Sequence, residues 1–185
     1  RGELARMSRP SPDPGDGVSI HRPGARDADL QRLASAAIPH AKSAKGEDYG
    51  RAGVWKFQLS TGKYLSRAVL PRDGRNHMLT GLAVAPDGTL YAADSQTRQV
   101  FKLEGETLRA VVDNQRLGSI RGLAIDPEGK RLYFSDAELG LFGIELATGK
   151  PFDVKVSPNV TLFGIESLYW HDNGLVAVQN GIRPT

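Results

Sequence analysis

Residues 81–94 read GLAVAPDGTLYAAD, and this stretch decides the fold because variants of it return twice further along the chain. Residues 122–136 read GLAIDPEGKRLYFSD, and residues 164–179 read GIESLYWHDNGLVAVQ. Each copy has an apolar run, a tight turn that contains Gly, and a second apolar or alternating run. This pattern is typical of two antiparallel strands joined by a short turn. The chain therefore contains an internal repeat of strand–turn–strand units.

The spacing of the repeat indicates its architecture. Gly81 and Gly122 are 41 residues apart, and Gly122 and Gly164 are 42 apart. A β-propeller blade of four short antiparallel strands takes roughly 40–50 residues. Two more strands fit into each period, at residues 99–103 and 108–112 and again at residues 141–146 and 152–156. We therefore predict an all-β fold: a β-propeller fragment of four-stranded antiparallel blades that makes up about half of a closed ring.

The same pattern extends to the segments on either side of the repeat. Residues 54–70 match the outer two strands of a blade, because the turn STGK at 60–63 stands where ATGK stands at 147–150. Residues 1–31, with several Pro, Gly, Ser and Asp, are expected to form a mobile lead-in. The predicted partial propeller over 32–185 consists of an incomplete blade at 32–70, blades at 78–112 and 119–156, and an incomplete blade at 160–185.

Two points stay open at this stage. Asp27 could cap a short helix with Leu30, Leu33, Ala34 and Ala37 on one face, whereas the repeat places a second strand over residues 33–38. In addition, the pattern stops directly after a second strand, which predicts either a fragment or a half-ring. Missing blades or a complementing chain would then be needed to close the ring, since an uncovered blade exposes apolar surface and a strand edge.

Composition excludes several function classes. The net charge of +3 is spread along the chain, which argues against nucleic acid because that partner requires a concentrated basic face. The absence of Cys excludes disulfide scaffolds, thiolate metal sites and a cysteine nucleophile. No apolar run reaches the length of about 18 residues that a membrane span needs. A soluble protein follows, and the compartment stays open between the cytoplasm and a periplasmic or secreted location.

The motifs of the repeat resemble a known superfamily. Over residues 81–95, GLAVAPDGTLYAADS, the chain resembles the six-bladed propellers of the gluconolactonase and regucalcin-like superfamily and the related NHL-repeat proteins. Residues 132–136, LYFSD, are similar to the YWTD form of the same blade. The resemblance covers residues 52–180 and implies that the ring has six blades. It leaves function open, because the superfamily includes lactonases, other hydrolases, lyases and binding modules.

The resemblance also implies where a metal would be bound. Hydrolytic members hold a divalent metal in the central channel through Asn, Glu and Asp side chains, with Asn before Gly-Leu at the start of a blade. Here Thr80, Arg121 and Phe163 precede the corresponding glycines. None supplies an amide oxygen, and Arg brings a positive charge to the place of a cation. We therefore predict no metal site and no cofactor in this part of the ring.

The loops that lead into the first strand of each blade line one mouth of the channel. They cover residues 71–80, 113–121 and 157–163. Convergent polar groups at a concave mouth are the usual candidates for ligand contact. The predicted ligand-binding residues are Asn76, His77, Arg121, Glu166 and Asn180.

Individual residues carry alternative interpretations. His77 could act as a base or a ligand, or could be a hydrogen-bonded structural residue. Arg121 could bind a carboxylate or phosphate in bidentate fashion, or could form a salt bridge to Glu166. Asp94 and Asp136 recur at the same point of two repeats, which predicts carboxylates that accept backbone N–H groups at a turn.

Two functions follow as alternatives. The first is a ligand-binding or interaction propeller, with a small-molecule ligand or a protein partner and no assignable catalysis. The second is a metal-dependent lactone or ester hydrolase with a divergent central-channel site. In that case Glu166 and Asn180, with residues from elsewhere, would hold a metal that polarises a carbonyl and activates water.

Overall fold

The first sheet comes from the segment with the least regular sequence pattern. The structure is a computed structural model that describes residues 32–34 and 51–180. Strands β1 (Arg32–Ala34), β2 (Gly53–Phe57) and β3 (Tyr64–Val69) form an antiparallel sheet in that order. Of the two alternatives for residues 27–38, a strand is present at Arg32–Ala34. The predicted lead-in at 1–31 lies outside the described residues, and so does the stretch 35–50.

Two four-stranded antiparallel sheets and a hairpin follow. The second sheet contains β4 (Leu79–Val84), β5 (Leu90–Asp94), β6 (Gln99–Glu104) and β7 (Thr107–Asp113). The third sheet contains β8 (Ile120–Ile125), β9 (Arg131–Asp136), β10 (Gly140–Glu145) and β11 (Pro151–Asp153). The fourth sheet is the hairpin of β12 (Ile165–His171) and β13 (Gly174–Gln179). The described residues contain no helix, so none of them forms a helix that could cross a membrane.

One predicted strand is shorter than expected. The fourth strand of the third sheet was expected over residues 152–156, but β11 ends at Asp153. The next residue, Val154, leaves the sheet edge and packs against the apolar cluster between the third and fourth sheets. Val154 therefore contributes to that cluster and not to the outer strand.

Glycines with positive φ close the tight turns, as the repeat predicts. Gly88 (φ 84°) and Gly129 (φ 67°) sit in the turns between the first two strands of their sheets. Gly62 and Gly149 (φ 68° and 69°) make matching turns, in which their amides donate to the carbonyls four residues earlier at 2.8 and 2.7 Å. Strands β2 and β3 are therefore the third and fourth strands of a blade, equivalent to β10 and β11.

The sheets stack face to face, with an apolar core at each junction. Val54, Ala68, Leu90 and Phe101 belong to the core between the first and second sheets. Tyr91, Val100, Ile120, Leu132 and Phe134 belong to the next core, and Ala124, Leu141, Ile165 and Leu168 to the last. Because a middle sheet is covered on both faces, β5 is buried along its whole length. Each fully buried Leu or Ile contributes about 1.5–3 kcal/mol.

The first strands of successive sheets, β4, β8 and β12, converge. We call them the inner strands. A Cβ atom at Gly122 would lie 2.6 Å from the amide nitrogen of Leu168, and one at Gly81 would overlap the carbonyl oxygen of Arg121. Ser135 adds a hydrogen-bonded link between sheets, since its Oγ accepts from the amide of Gly122 (2.8 Å) and donates to the carbonyl of Ile165 (3.0 Å). The predicted all-β, propeller-type arrangement of blades is confirmed.

The pairing corrects the alignment of the third repeat. Leu82, Leu123 and Leu168 pair with the central residues of their neighbouring strands, so they are equivalent. The residue equivalent to Gly122 is therefore Ser167 and not Gly164. Gly164 has φ 75° and enters the strand through a turn, so its glycine serves backbone conformation and not close packing.

Candidate functional site

Each inner strand carries a pairing irregularity at the same position. The register shifts between Leu79 and Gly81 in β4, between Ile120 and Leu123 in β8, and between Ile165 and Ser167 in β12. Such β-bulges re-aim a side chain and are frequent next to functional sites. The bulges contain Thr80, Arg121 and Glu166, which we call the bulge triad. The sequence alignment placed Phe163 at the third of these positions. That placement was wrong because the alignment matched Gly164 to Gly81 and Gly122.

The bulge triad forms contacts from one inner strand to the next. Thr80 Oγ1 donates to the carbonyl of Ile120 at 3.0 Å. One terminal nitrogen of Arg121 lies 3.7 Å from a carboxylate oxygen of Glu166, and these two side chains are 30% and 35% exposed. Both side chains are thus partly exposed on the edge where the inner strands converge. The salt bridge that the sequence left as an alternative for Arg121 is present.

Arg121 retains unused donor capacity. The 3.7 Å separation from Glu166 exceeds the roughly 2.7–3.2 Å of an N–H···O hydrogen bond. In the part of the chain that the structure describes, the buried Nε of Arg121 has no hydrogen-bond partner. A buried unpaired donor costs about 1–3 kcal/mol, more for a charged group. An additional acceptor near this guanidinium would therefore be favourable.

His77 belongs to a second cluster at the start of the second sheet. Its Nδ1 lies 2.6 Å from Oδ2 of Asp94, and its Nε2 lies 3.1 Å from Oδ1 of Asp73. The imidazole is only 7% exposed and the Asp94 side chain is fully buried. Because both ring nitrogens face carboxylate oxygens, the doubly protonated ring satisfies both contacts, whereas a neutral ring can donate to only one.

Asp94 and Asp136 cap equivalent turns with different partners. Both oxygens of Asp136 accept backbone amides, from Gly118 and Ser119 at 2.6 and 3.1 Å and from the two residues that follow Ala137 at 2.9 and 3.0 Å. Oδ1 of Asp94 likewise accepts three backbone amides, but its Oδ2 takes the His77 ring. The predicted structural role of both carboxylates is confirmed by these bonds.

The loop before β4 is held by Asp73. The Arg75 amide donates to Oδ1 of Asp73 at 3.0 Å, and its guanidinium donates to Oδ2 at 2.6 Å. These bonds, the backbone one first, hold the pKa of Asp73 well below its usual range, and His77 contributes a smaller effect. No local sequence signal predicts the contact between His77 and Asp94, since the residues are 17 positions apart and meet through β4–β5 pairing.

The two predicted asparagines lie at the edges of these clusters. Asn76 is exposed in the loop beside His77. Asn180 is also exposed. Its backbone N–H donates to the carbonyl of Gly164 at 3.0 Å, which places Asn180 where β13 ends beside the start of β12. The structure therefore brings Arg121 and Glu166 together, assigns His77 to a carboxylate cluster, and leaves the asparagines at the surface. Across the described residues, no group of three or more His, Asp or Glu side chains is arranged to hold a metal ion.

Comparison with known proteins supports the fold. No protein-family model matches the chain, and no curated protein matches it. Among solved structures, the chain is similar to hydrazine synthase of Kuenenia stuttgartiensis, with 15% sequence identity and a TM-score of 0.58. The match covers 81% of this chain and 42% of that chain, so this chain spans less than half the length of the hydrazine synthase chain. At this identity the likeness shows the fold alone.

Proposed function

We propose that this chain is part of a six-bladed ligand-binding propeller of the gluconolactonase-like superfamily, and that the bulge triad holds a small anionic molecule. The single observation that carries the proposal is the position of Arg121. It lies on the edge where the inner strands converge, partly exposed, with an unpaired Nε and a long contact to Glu166. A guanidinium in this state favours a carboxylate, which it can bind through two parallel hydrogen bonds.

The neighbouring residues narrow the chemistry of the ligand. Glu166 offers carboxylate oxygens and Thr80 offers a hydroxyl oxygen on either side of Arg121, along the same line of bulges. Both can accept hydrogen bonds from hydroxyl groups. A carboxylate that carries adjacent hydroxyls, such as a sugar acid, therefore matches the triad better than a bare anion does.

Binding of D-gluconate, monitored by amide chemical shifts, tests this proposal. We expect saturable binding that Arg121→Gln weakens at least tenfold, because a charged hydrogen bond contributes about 1.5–3 kcal/mol. Arg116→Gln is the matched control, since Arg116 is an exposed arginine in the same mouth loop and its loss should leave affinity unchanged. Equal loss in both variants, or no binding by the parent chain, would contradict the assignment.

The corrected alignment gives specific support to a second candidate, a metal-dependent lactone or ester hydrolase. Glu166, and not Phe163, stands at the bulge position where the superfamily resemblance expects an oxygen ligand. The positive charge of Arg121 at 3.7 Å works against a cation there. Hydrolysis of δ-gluconolactone with added calcium distinguishes the candidates. Activity that a chelator abolishes and that Glu166→Gln removes would favour the hydrolase over the binding propeller.

A further inference from the structure

The three bulge positions are equivalent in the backbone but differ in side-chain chemistry. Strand β4 supplies a hydroxyl group (Thr80), β8 a guanidinium (Arg121) and β12 a carboxylate (Glu166). The hydroxyl hydrogen of Thr80 is already donated to the carbonyl of Ile120, so Thr80 offers a ligand only lone pairs. Glu166 is therefore the acidic member of the bulge triad, and Arg121 is its basic member.

The separation of Arg121 and Glu166 places a bound anion near a second negative charge. Their 3.7 Å contact lets the charges attract without sharing a hydrogen bond. A ligand oxygen that binds the same terminal nitrogen of Arg121 at up to about 3.2 Å lies within about 7 Å of that Glu166 oxygen. The Debye length in physiological salt is about 8 Å. The charge of Glu166 therefore still acts on any anion that Arg121 holds.

We propose that Glu166 is the specificity-determining residue of this site: it admits monocarboxylates that carry hydroxyl groups and excludes dianions. This inference rests on the proposed function, in which Arg121 binds the anion. It adds the charge of the ligand as the property that the site selects.

A monocarboxylate with a hydroxyl group satisfies both charged residues. Attraction to Arg121 and repulsion by Glu166 oppose one another, so hydrogen bonds decide the affinity. The guanidinium can donate two parallel bonds to the ligand carboxylate. A ligand hydroxyl can donate to Glu166, whose oxygens only accept. A carboxylate without a hydroxyl leaves Glu166 without a donor.

A second negative charge on the ligand finds no second cation in the bulge triad. Arg121 is the single basic residue of the triad, and its donors face the first carboxylate. The second charge is therefore repelled by Glu166 without an equivalent gain. Coulomb repulsion at about 7 Å corresponds to a factor of roughly three in water and roughly fifty at the effective dielectric constant near a protein surface. We expect a discrimination of about tenfold, between these limits.

Titrations with D-glycerate and tartronate, followed by amide chemical shifts, test the selectivity. Tartronate has a second carboxylate in place of the terminal CH₂OH group of glycerate and keeps the neighbouring hydroxyl. We expect the parent chain to bind D-glycerate about tenfold more tightly, and Glu166→Gln to reduce this ratio to about threefold or less. Glu128→Gln is the matched control and should keep the ratio, because it removes the same charge from an exposed turn at the opposite end of β8. An unchanged ratio in Glu166→Gln, or an equal fall in both variants, would overturn the proposal.

The parent chain supplies a second measurement that does not depend on the folding of a variant. In 1 M NaCl the Debye length falls to about 3 Å, so the repulsion by Glu166 should be screened. The preference of the parent chain for D-glycerate over tartronate should then fall towards that expected for Glu166→Gln. A preference that stays the same in high salt would contradict a selection by charge.

Sulfate separates this inference from the proposed function, because it carries two charges and no hydrogen-bond donor. We expect no sulfate binding by the parent chain, and saturable binding by Glu166→Gln that is lost when Arg121→Gln is added. D-gluconate binding by the parent chain without this gain of sulfate binding would refute the role of Glu166 and leave the proposed function intact. A gain of sulfate binding in Glu166→Gln, with no D-gluconate binding by the parent chain, would support the role of Glu166 and refute the sugar-acid ligand.

Discussion

Replacing Asp136 with Asn should destabilise the protein far more than the same substitution at Asp94, although both carboxylates are fully buried at equivalent turns. Each oxygen of Asp136 accepts two backbone N–H groups. Whichever way the new amide is oriented, its NH₂ group faces two donors that cannot change. At Asp94 the amide oxygen can keep the three backbone bonds while the NH₂ group faces the His77 ring, which in its neutral form can accept through Nδ1.

The magnitudes follow from these bonds. Asp136→Asn loses two charge-assisted hydrogen bonds, and at about 1.5–3 kcal/mol each the free energy of unfolding should fall by roughly 3–6 kcal/mol. Asp94→Asn keeps every hydrogen bond and loses only their charge assistance, so we expect a loss of about 1–2 kcal/mol. Since domains of this kind are stable by about 5–15 kcal/mol, the difference is large enough to measure.

Urea unfolding, followed by tryptophan fluorescence, provides the assay. Asp172→Asn is the control, because the Asp172 side chain is 88% exposed and its charge should matter little. Equal destabilisation by Asp136→Asn and Asp94→Asn would refute this account of the two hydrogen-bond sets.

Three further predictions concern the inner strands and the loop before β4. Gly122→Ala should lower the free energy of unfolding by about 1–3 kcal/mol in thermal unfolding, because the new Cβ would lie 2.6 Å from the backbone of the next inner strand. Gly174→Ala is the control and should have little effect, because its Cβ would lie 3.6 Å from the nearest atom. Ser135→Ala leaves a buried amide and carbonyl unpaired and should cost about 1–3 kcal/mol, with faster amide exchange at Gly122 as the local signature. Arg75→Ala should raise the pKa of Asp73 part of the way towards its usual range, as a carboxyl carbon NMR titration would show, since the Arg75 backbone bond remains. Because the pKa of Asp73 is lower in the folded protein, its charged form stabilises the loop at pH values above the usual pKa of a carboxyl group, and this stabilisation is lost as the pH falls through the folded pKa. In Arg75→Ala the loop should therefore lose this stabilisation at a higher pH.

The fold could be predicted because the strands and turns of each blade depend on residues that are close together in the sequence. Gly88 and Gly129 adopt positive φ in turns between apolar runs, and such turns can be recognised without any distant contact. The matched turns at Gly62 and Gly149 likewise allowed β2 and β3 to be assigned to a blade from sequence. The third repeat was misaligned because Gly164 and Gly122 have similar sequence contexts but different roles. Gly164 is required for its positive φ, whereas Gly122 is required because the next inner strand packs closely against it.

By itself, the sequence determined the strand order, the turns and the all-β repeat, since each depends on residues close together in the chain. Only the tertiary structure decided which side chains meet. His77 contacts Asp94 because of strand pairing. Arg121 contacts Glu166 of the adjacent blade because bulges shift the pairing register of both inner strands. Alternation in a strand predicts which face a residue occupies, but a one-residue bulge redirects its side chain, and only the three-dimensional register of neighbouring sheets shows where it points.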